Sequence, residues 1–139
     1  MRLPHALGRS LSKLLRDTPL IYVDCGARAA RLPKAFRNLK NTRYIGIDAD
    51  ADECLRLNQS ARPGHLYLPA VLGSSSSRGH FHVTRAPACS SLLRPDHEFL
   101  SEFGDIAEGF TVERQIDVET TPLDTCLATN NIGYADVVE

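Results

Sequence analysis

Two acidic residues and one glycine stand where apolar runs give way to polar turns. Asp24 and Gly26 follow Leu20-Ile21-Tyr22-Val23, and Asp48 follows Tyr44-Ile45-Gly46-Ile47. A carboxylate at such a place can hold a cationic amine through a charge-assisted hydrogen bond. A glycine lets the backbone come close to a ligand. An acidic residue about 20 positions past a glycine turn accepts hydrogen bonds from ribose hydroxyls. Asp48 lies 24 residues after Asp24. The candidate cofactor-binding set is therefore Asp24, Cys25, Gly26 and Ala27 from the first turn, with Asp48 and Ala49 from the second. Two carboxylates suit an adenosyl ligand carrying a positive amine and sulfonium better than a pyrophosphate. The turn has one glycine, not the G-x-G-x-x-G of a dinucleotide site. The plainer alternative is that Gly26 only turns the chain and Asp48 only caps a helix.

These positions require strands that end together. Leu20–Val23 and Tyr44–Ile47 are compact apolar runs with β-branched and aromatic residues, apolar on both alternating sets. That pattern predicts strands buried on both faces. Leu32, Phe36 and Leu39 predict a helix from Ala29 to Lys40, with Pro33 in its first turn. Asp50, with Glu53 three residues on, predicts an N-cap of capping-box type, and Pro63-Gly64 predicts a turn. Leu66 to Leu72 predicts a third strand, interrupted in character by Pro69. Strands alternating with helices imply βαβ units and a parallel sheet in an α/β fold, covering residues 20–72.

The flanking regions are less regular. Leu7, Leu11, Leu14 and Leu15 predict an N-terminal amphipathic helix within 1–18, with Arg9, Lys13 and Arg16 on other faces and Thr18-Pro19 ending it. Residues 73–120 predict an antiparallel hairpin insertion. Its strands are Phe81 and Val83 alternating with His80 and His82, and Val112, Ile116 and Val118 alternating with polar residues, with a helical turn over Pro95–Phe103. Thr121-Pro122-Leu123 predicts a helix start that ends at Asn130-Asn131-Ile132-Gly133, and Tyr134–Val138 begins a fourth strand.

The remaining polar candidates read as structural. His80 and His82 share one side of a strand with no completing ligand set, so no metal site is expected. Asp96-His97-Glu98 reads as a polar helix start, and Ser90 and Ser91 as loop or cap residues that could touch a ligand. Arg28 reads equally as a solvated side chain or a partner for a ligand carboxylate. No Ser/His/Asp or Cys/His order points to nucleophilic catalysis.

Sixteen basic and seventeen acidic residues leave a formal charge of −1, which offers nothing to nucleic acid or an anionic membrane. Cys25, Cys54, Cys89 and Cys126 are widely spaced and fit reduced thiols in a cytoplasmic protein. No apolar run is long enough for a bilayer, and the N-terminus lacks the form of a signal peptide.

The ordered set of motifs from about residue 20 onward resembles the FkbM-type methyltransferases. Val23-Asp24-Cys25-Gly26-Ala27-Arg28 resembles their first motif, and Gly46-Ile47-Asp48-Ala49-Asp50 falls at their acidic-Pro-Asp motif. Asn58 sits where their next helix commonly ends. Cys89–Leu93 resembles the Ser-Ser-Leu segment after their extra hairpin, Val118–Leu127 a helix start, and Tyr134–Val138 the start of their fourth strand. The resemblance implies a Rossmann-like, doubly wound sheet, S-adenosylmethionine as cofactor, and O-methylation of a sugar or small metabolite. This chain departs from the family at Ala30 (commonly glycine), Ala49 (usually proline), Asp48 (usually glutamate) and Glu139 (lysine). The family's Lys-Ile-Asp-x-Glu-Gly continuation is absent, so an incomplete domain is expected, with doubtful activity, no assignable catalytic base and self-association through an uncovered sheet edge. The alternatives are a non-catalytic remnant or adenosyl-binding module, and a nucleotide-dependent oxidoreductase.

Overall fold

The computed structural model describes Lys13 and residues 17–28, 32–37, 39 and 41–139. The chain divides into two compact units, Met1–Leu72 with Leu123–Glu139, and Gly73–Pro122. In chain order the described elements are β1 (Leu20–Cys25), β2 (Thr42–Asp48), α1 (Ala51–Gln59), β3 (His65–Pro69), β4 (Val71–Leu72), β5 (Ser77–Thr84), α2 (His97–Leu100), α3 (Asp105–Gly109), β6 (Val112–Thr121), α4 (Leu123–Thr129) and β7 (Val137–Val138). Short 3-10 turns occupy Pro87–Cys89 and Ser101–Phe103.

The first unit is α/β with a parallel sheet, as the alternation of the sequence predicts. Its strands run β3-β2-β1-β7, every neighbouring pair parallel. Successive side chains of a strand point to opposite faces, and here the faces differ in chemistry. Ile21, Val23, Ile45, Ile47 and Leu68 form an aliphatic face that packs with Cys126 and Leu127 of α4 and with Ile132. Tyr22, Tyr44 and Tyr67 occupy the other, with Leu32 and with Cys54 of α1. Both faces are covered, which is why β1 is apolar from Leu20 to Val23 and β2 from Tyr44 to Ile47.

Local signals place the helices. Asp50 caps α1, its side chain accepting from the Glu53 amide at 3.0 Å, an interaction worth about 1 kcal/mol. The reciprocal half of a capping box is not made. Glu53 pairs with Arg56, and the Asp50 amide donates to Asp48 Oδ1 instead. At the other end of α1, Asn58 reaches β3, donating to the Tyr67 carbonyl at 2.7 Å and accepting from its amide at 2.9 Å. Helix α4 closes with Asn131 at φ +57°. The Asn131 amide bonds to the Ala128 carbonyl and the Ile132 amide to the Leu127 carbonyl, the paired bonds of a Schellman motif, with Leu127 and Ile132 both buried.

Three expectations need correction, and one lies largely outside the described residues. The predicted helix over Ala29–Lys40 is instead a set of turns in its described part. Phe36 and Arg37 both bond back to Pro33, and Leu39 to Phe36, so that among the described residues a single four-residue step stands with two three-residue ones rather than a sustained helical ladder. Pro33 has no amide to contribute to such a ladder. The predicted strand Leu66–Leu72 is broken between Pro69 and Val71, where the Ala70 amide turns to the Asp48 carbonyl. The fourth strand is shorter than Tyr134–Val138: it covers Val137–Val138, and Asp136 joins β1 just before it through its amide, which donates to the Ile21 carbonyl at 2.9 Å, and its side chain, which accepts from the Ile21 amide at 2.8 Å. Most of the predicted 1–18 helix falls outside the described residues.

In the second unit β5 and β6 pair antiparallel, Phe81 opposite Ile116 and His80 opposite Asp117, with an irregularity at Val83/Thr84. Ser77 opens β5. Asp96 caps α2 by accepting from the Phe99 amide. Gly104, at φ +55°, separates the Ser101–Phe103 turn from α3.

Candidate functional site

The parallel register brings the two predicted carboxylates to one face. Asp24 lies opposite Gly46, and Asp48 lies two residues further along β2. Asp24 alternates with Tyr22, and Asp48 with Gly46 and Tyr44, so both carboxylates emerge from the tyrosine face at the carboxyl ends of adjacent strands. The strand order also turns here. The chain moves outward from β1 to β2 and β3, and β7 lies on the other side of β1. In open α/β sheets such a reversal marks the crevice where ligands bind.

Each carboxylate is oriented by one oxygen. The Tyr44 hydroxyl donates to Asp24 Oδ2 at 2.6 Å, and the Asp50 amide donates to Asp48 Oδ1 at 2.9 Å. Among the described residues, Asp24 Oδ1 and Asp48 Oδ2 take no hydrogen bond. Asp48 thus does part of what a plain helix-side turn residue would do, through its bond from the Asp50 amide.

The turn after β1 is held down rather than open. Gly26 sits at φ +89°, a backbone conformation glycine adopts freely. Its amide and that of Ala27 both donate to the Ile47 carbonyl, at 2.8 and 3.1 Å. Ala27 is fully buried. It lies over Gly46, where an added Cβ would stand 2.8 Å from the Ala27 methyl and 2.6 Å from the Tyr67 ring. The missing side chain at 46 is what lets the turn fold across β2. Arg28 then pairs with Asp50 at 2.8 Å, so it is a structural partner rather than a purely solvated group. The backbone bond from Glu53 and then Arg28 hold the Asp50 carboxyl below its ordinary range. Cys25 belongs to the opposite side of the strand by alternation, and its amide donates to the Glu139 carbonyl. Ala49 is exposed in the turn leading to α1.

The sequence reading missed a third carboxylate and two phenols. Glu139 extends the β7 pairing, its amide bonding to the Val23 carbonyl, and its side chain accepts from the Tyr22 hydroxyl. Asp48, Asp24 and Glu139 therefore form a row across three neighbouring strand ends. Burial, then the bond to Glu139, pushes Tyr22 up to about 12. Burial and the Asp24 bond push Tyr44 still higher. Tyr22 and Tyr44 are register partners with stacked rings, centroids 6.1 Å apart. The usable signal was that both tyrosines sit two or more places before an acidic strand end, on the same alternating set.

The other candidates lie elsewhere. His80 bonds to Asp117 at 2.8 Å on an exposed strand surface, and no cluster of three or more His, Cys, Asp or Glu placed to hold a metal ion occurs among the described residues. Ser90 accepts from the Thr84 amide and Ser91 from the Leu93 amide, both structural uses. A groove of about 700 Å³ lies beside α4, lined by Leu123, Leu127, Ile132, Tyr134 and Val138. One of about 480 Å³ lies on the hairpin around His80 and Asp117. Neither is lined by Asp24 or Asp48. No helix among the described residues is long and apolar enough to cross a membrane. Comparison with protein-family models, with curated proteins and with solved structures gives no match.

Proposed function

We propose that the first unit binds S-adenosylmethionine as the cofactor-binding part of a Rossmann-like, doubly wound methyltransferase, acting on a hydroxyl of a sugar or small metabolite. The observation that carries this reading is the placement of Asp24 and Asp48 on one face at adjacent strand ends, each oriented through one oxygen, the other taking no hydrogen bond among the described residues. Asp48 would accept from the ribose hydroxyls and Asp24 would take the ammonium. Bound there, the cofactor supplies an electrophilic methyl group on a sulfonium.

The chain's own contribution is positioning and charge. Tyr44 fixes the rotamer of Asp24, and the Asn58 clamp and the Asp50 cap fix α1 against β3 and β2. Holding reactants in a productive geometry supplies several kcal/mol of a transfer barrier, about 7–11 in the best intramolecular cases. The carboxylate row attracts a cation and disfavours a pyrophosphate. The Gly26 and Ala27 amides, which would cradle phosphate oxygens in a dinucleotide site, are already committed to Ile47. That argues against a nicotinamide-dependent oxidoreductase.

A second reading, an adenosyl-binding module without transfer, is favoured by one observation. Tyr22 and Tyr44 on this face are held protonated and donate to carboxylates, so neither is placed as a base for an acceptor hydroxyl. Calorimetry decides among the three. S-adenosylmethionine is expected to bind, and Asp24→Asn and Asp48→Asn are each expected to weaken it by about tenfold or more. Binding without transfer of a labelled methyl group selects the module. Preferential binding of NAD, or affinity indifferent to both substitutions, overturns the proposal.

A further inference from the structure

The second unit carries a surface that its own fold does not use. Between the strands of the hairpin, Leu93, Phe99, Phe103 and Ile106 are 79%, 59%, 46% and 63% exposed. The Phe99 and Phe103 rings lie against each other, centroids 5.1 Å apart, yet both remain open to solvent. Exposed apolar side chains in contact, as Phe99 and Phe103 are, mark interaction surfaces, whereas single exposed ones need no explanation. Aromatic residues of this kind are the usual anchors of protein interfaces.

The charge of the segment that carries them is one-sided. Residues 94–109 hold Asp96, Glu98, Glu102, Asp105 and Glu108 against the single arginine Arg94, in a chain whose total is only −1. Glu108 is neutralised by Arg85. Glu98, Glu102 and Asp105 have no ion pair among the described residues and are exposed. An exposed aromatic pair on a segment rich in exposed, unpaired carboxylates repels anionic lipid and nucleic acid, and it complements a cationic apolar peptide.

We propose that this surface is a docking site for a basic amphipathic helix of a partner protein. The apolar side of that helix covers Phe99 and Phe103, and its lysines or arginines meet Glu98, Glu102 and Asp105. This is the helix-on-apolar-surface mode of recognition, with charge fixing orientation and excluding wrong partners.

The test uses the full chain and a fluorescent synthetic leucine–lysine amphipathic helical peptide, with a leucine–glutamate peptide of the same pattern as control. The lysine peptide is expected to bind saturably, the glutamate peptide not at all. Raising salt from about 50 to about 500 mM is expected to weaken binding several-fold, because exposed charges are screened over a Debye length. Phe99→Ser with Phe103→Ser is expected to weaken it about tenfold or more. Glu102→Lys with Asp105→Lys, which leaves the rings in place, is expected to do the same. Absence of saturable binding, binding unchanged by both variants, or equal binding of the glutamate peptide overturns the proposal. So does preferential binding to vesicles containing anionic lipid.

Discussion

The two faces of the parallel sheet are built from the same strands and differ by one residue of register. One face buries the aliphatic side chains Ile21, Val23, Ile45, Ile47 and Leu68, which pack on α4. The other carries Tyr22, Tyr44 and Tyr67, and its polar atoms end at Asp24, Asp48 and Glu139. The aliphatic face contributes burial alone. The tyrosine face also buries area, since each ring removes roughly 150–250 Å² from water, but its hydroxyls extend that burial to oriented carboxylates. The difference shows how a sheet can keep stability and chemistry apart with nothing more than the two-residue alternation of a strand.

That contrast can be broken by substitution. Ile45→Ala, at a position with no exposure, is expected to cost about 2–5 kcal/mol in denaturant unfolding and to leave the ligand affinity of the folded fraction unchanged. Gly46→Ala is next. Its new methyl would stand 2.6 Å from the Tyr67 ring and 2.8 Å from Ala27, so about 1–3 kcal/mol of overpacking is expected, with lost binding as the β1 turn is pushed off β2. Tyr44→Phe removes one oxygen from the other face. A smaller stability loss of about 1–2 kcal/mol is expected, with weakened S-adenosylmethionine binding because Asp24 loses its orienting donor. If Tyr44→Phe destabilises more than Ile45→Ala, the assignment of stability to the aliphatic face is wrong.

Titration sharpens the same contrast. A tyrosine in the unfolded chain ionises near 10, whereas Tyr22 in the folded chain is pushed up to about 12. The folded state therefore keeps a proton that the unfolded state releases. The stabilisation is complete below pH 10 and is lost as pH rises through about 12. Denaturant midpoints measured from pH 9 to 11.5 are expected to fall, with a shallower fall in Tyr22→Phe and an unaltered one in Ile45→Ala. The smallest expected effect is at the end of α4. Asn131→Gly, at φ +57°, is expected to change stability by no more than a few tenths of a kcal/mol, because glycine suits that conformation as well.

The sequence made the strand ends legible because a doubly buried strand is apolar throughout, so the first acidic residue is conspicuous. It made Asp50 and the close of α4 legible because caps are local. Pairing was not legible. That Tyr44 reaches Asp24, and that Tyr22 reaches Glu139, depends on which strands are neighbours and in what register, and β1 to β7 spans more than a hundred residues. The segment around Pro33 is instructive in another way. Leu32 and Leu39 are buried and Phe36 packs on the same core, so the spacing identified the inward residues, while the hydrogen bonds took the form of turns.

The clamp from Asn58 to Tyr67 has a consequence for how molecules of this protein meet. β3 is a border strand, and Tyr67 is its central residue. With both main-chain groups of that residue already engaged by a side chain of the same molecule, a foreign strand cannot zip along that margin without first displacing an amide that fits it at both ends. The sheet is thereby guarded against open-ended stacking on that flank by a single asparagine.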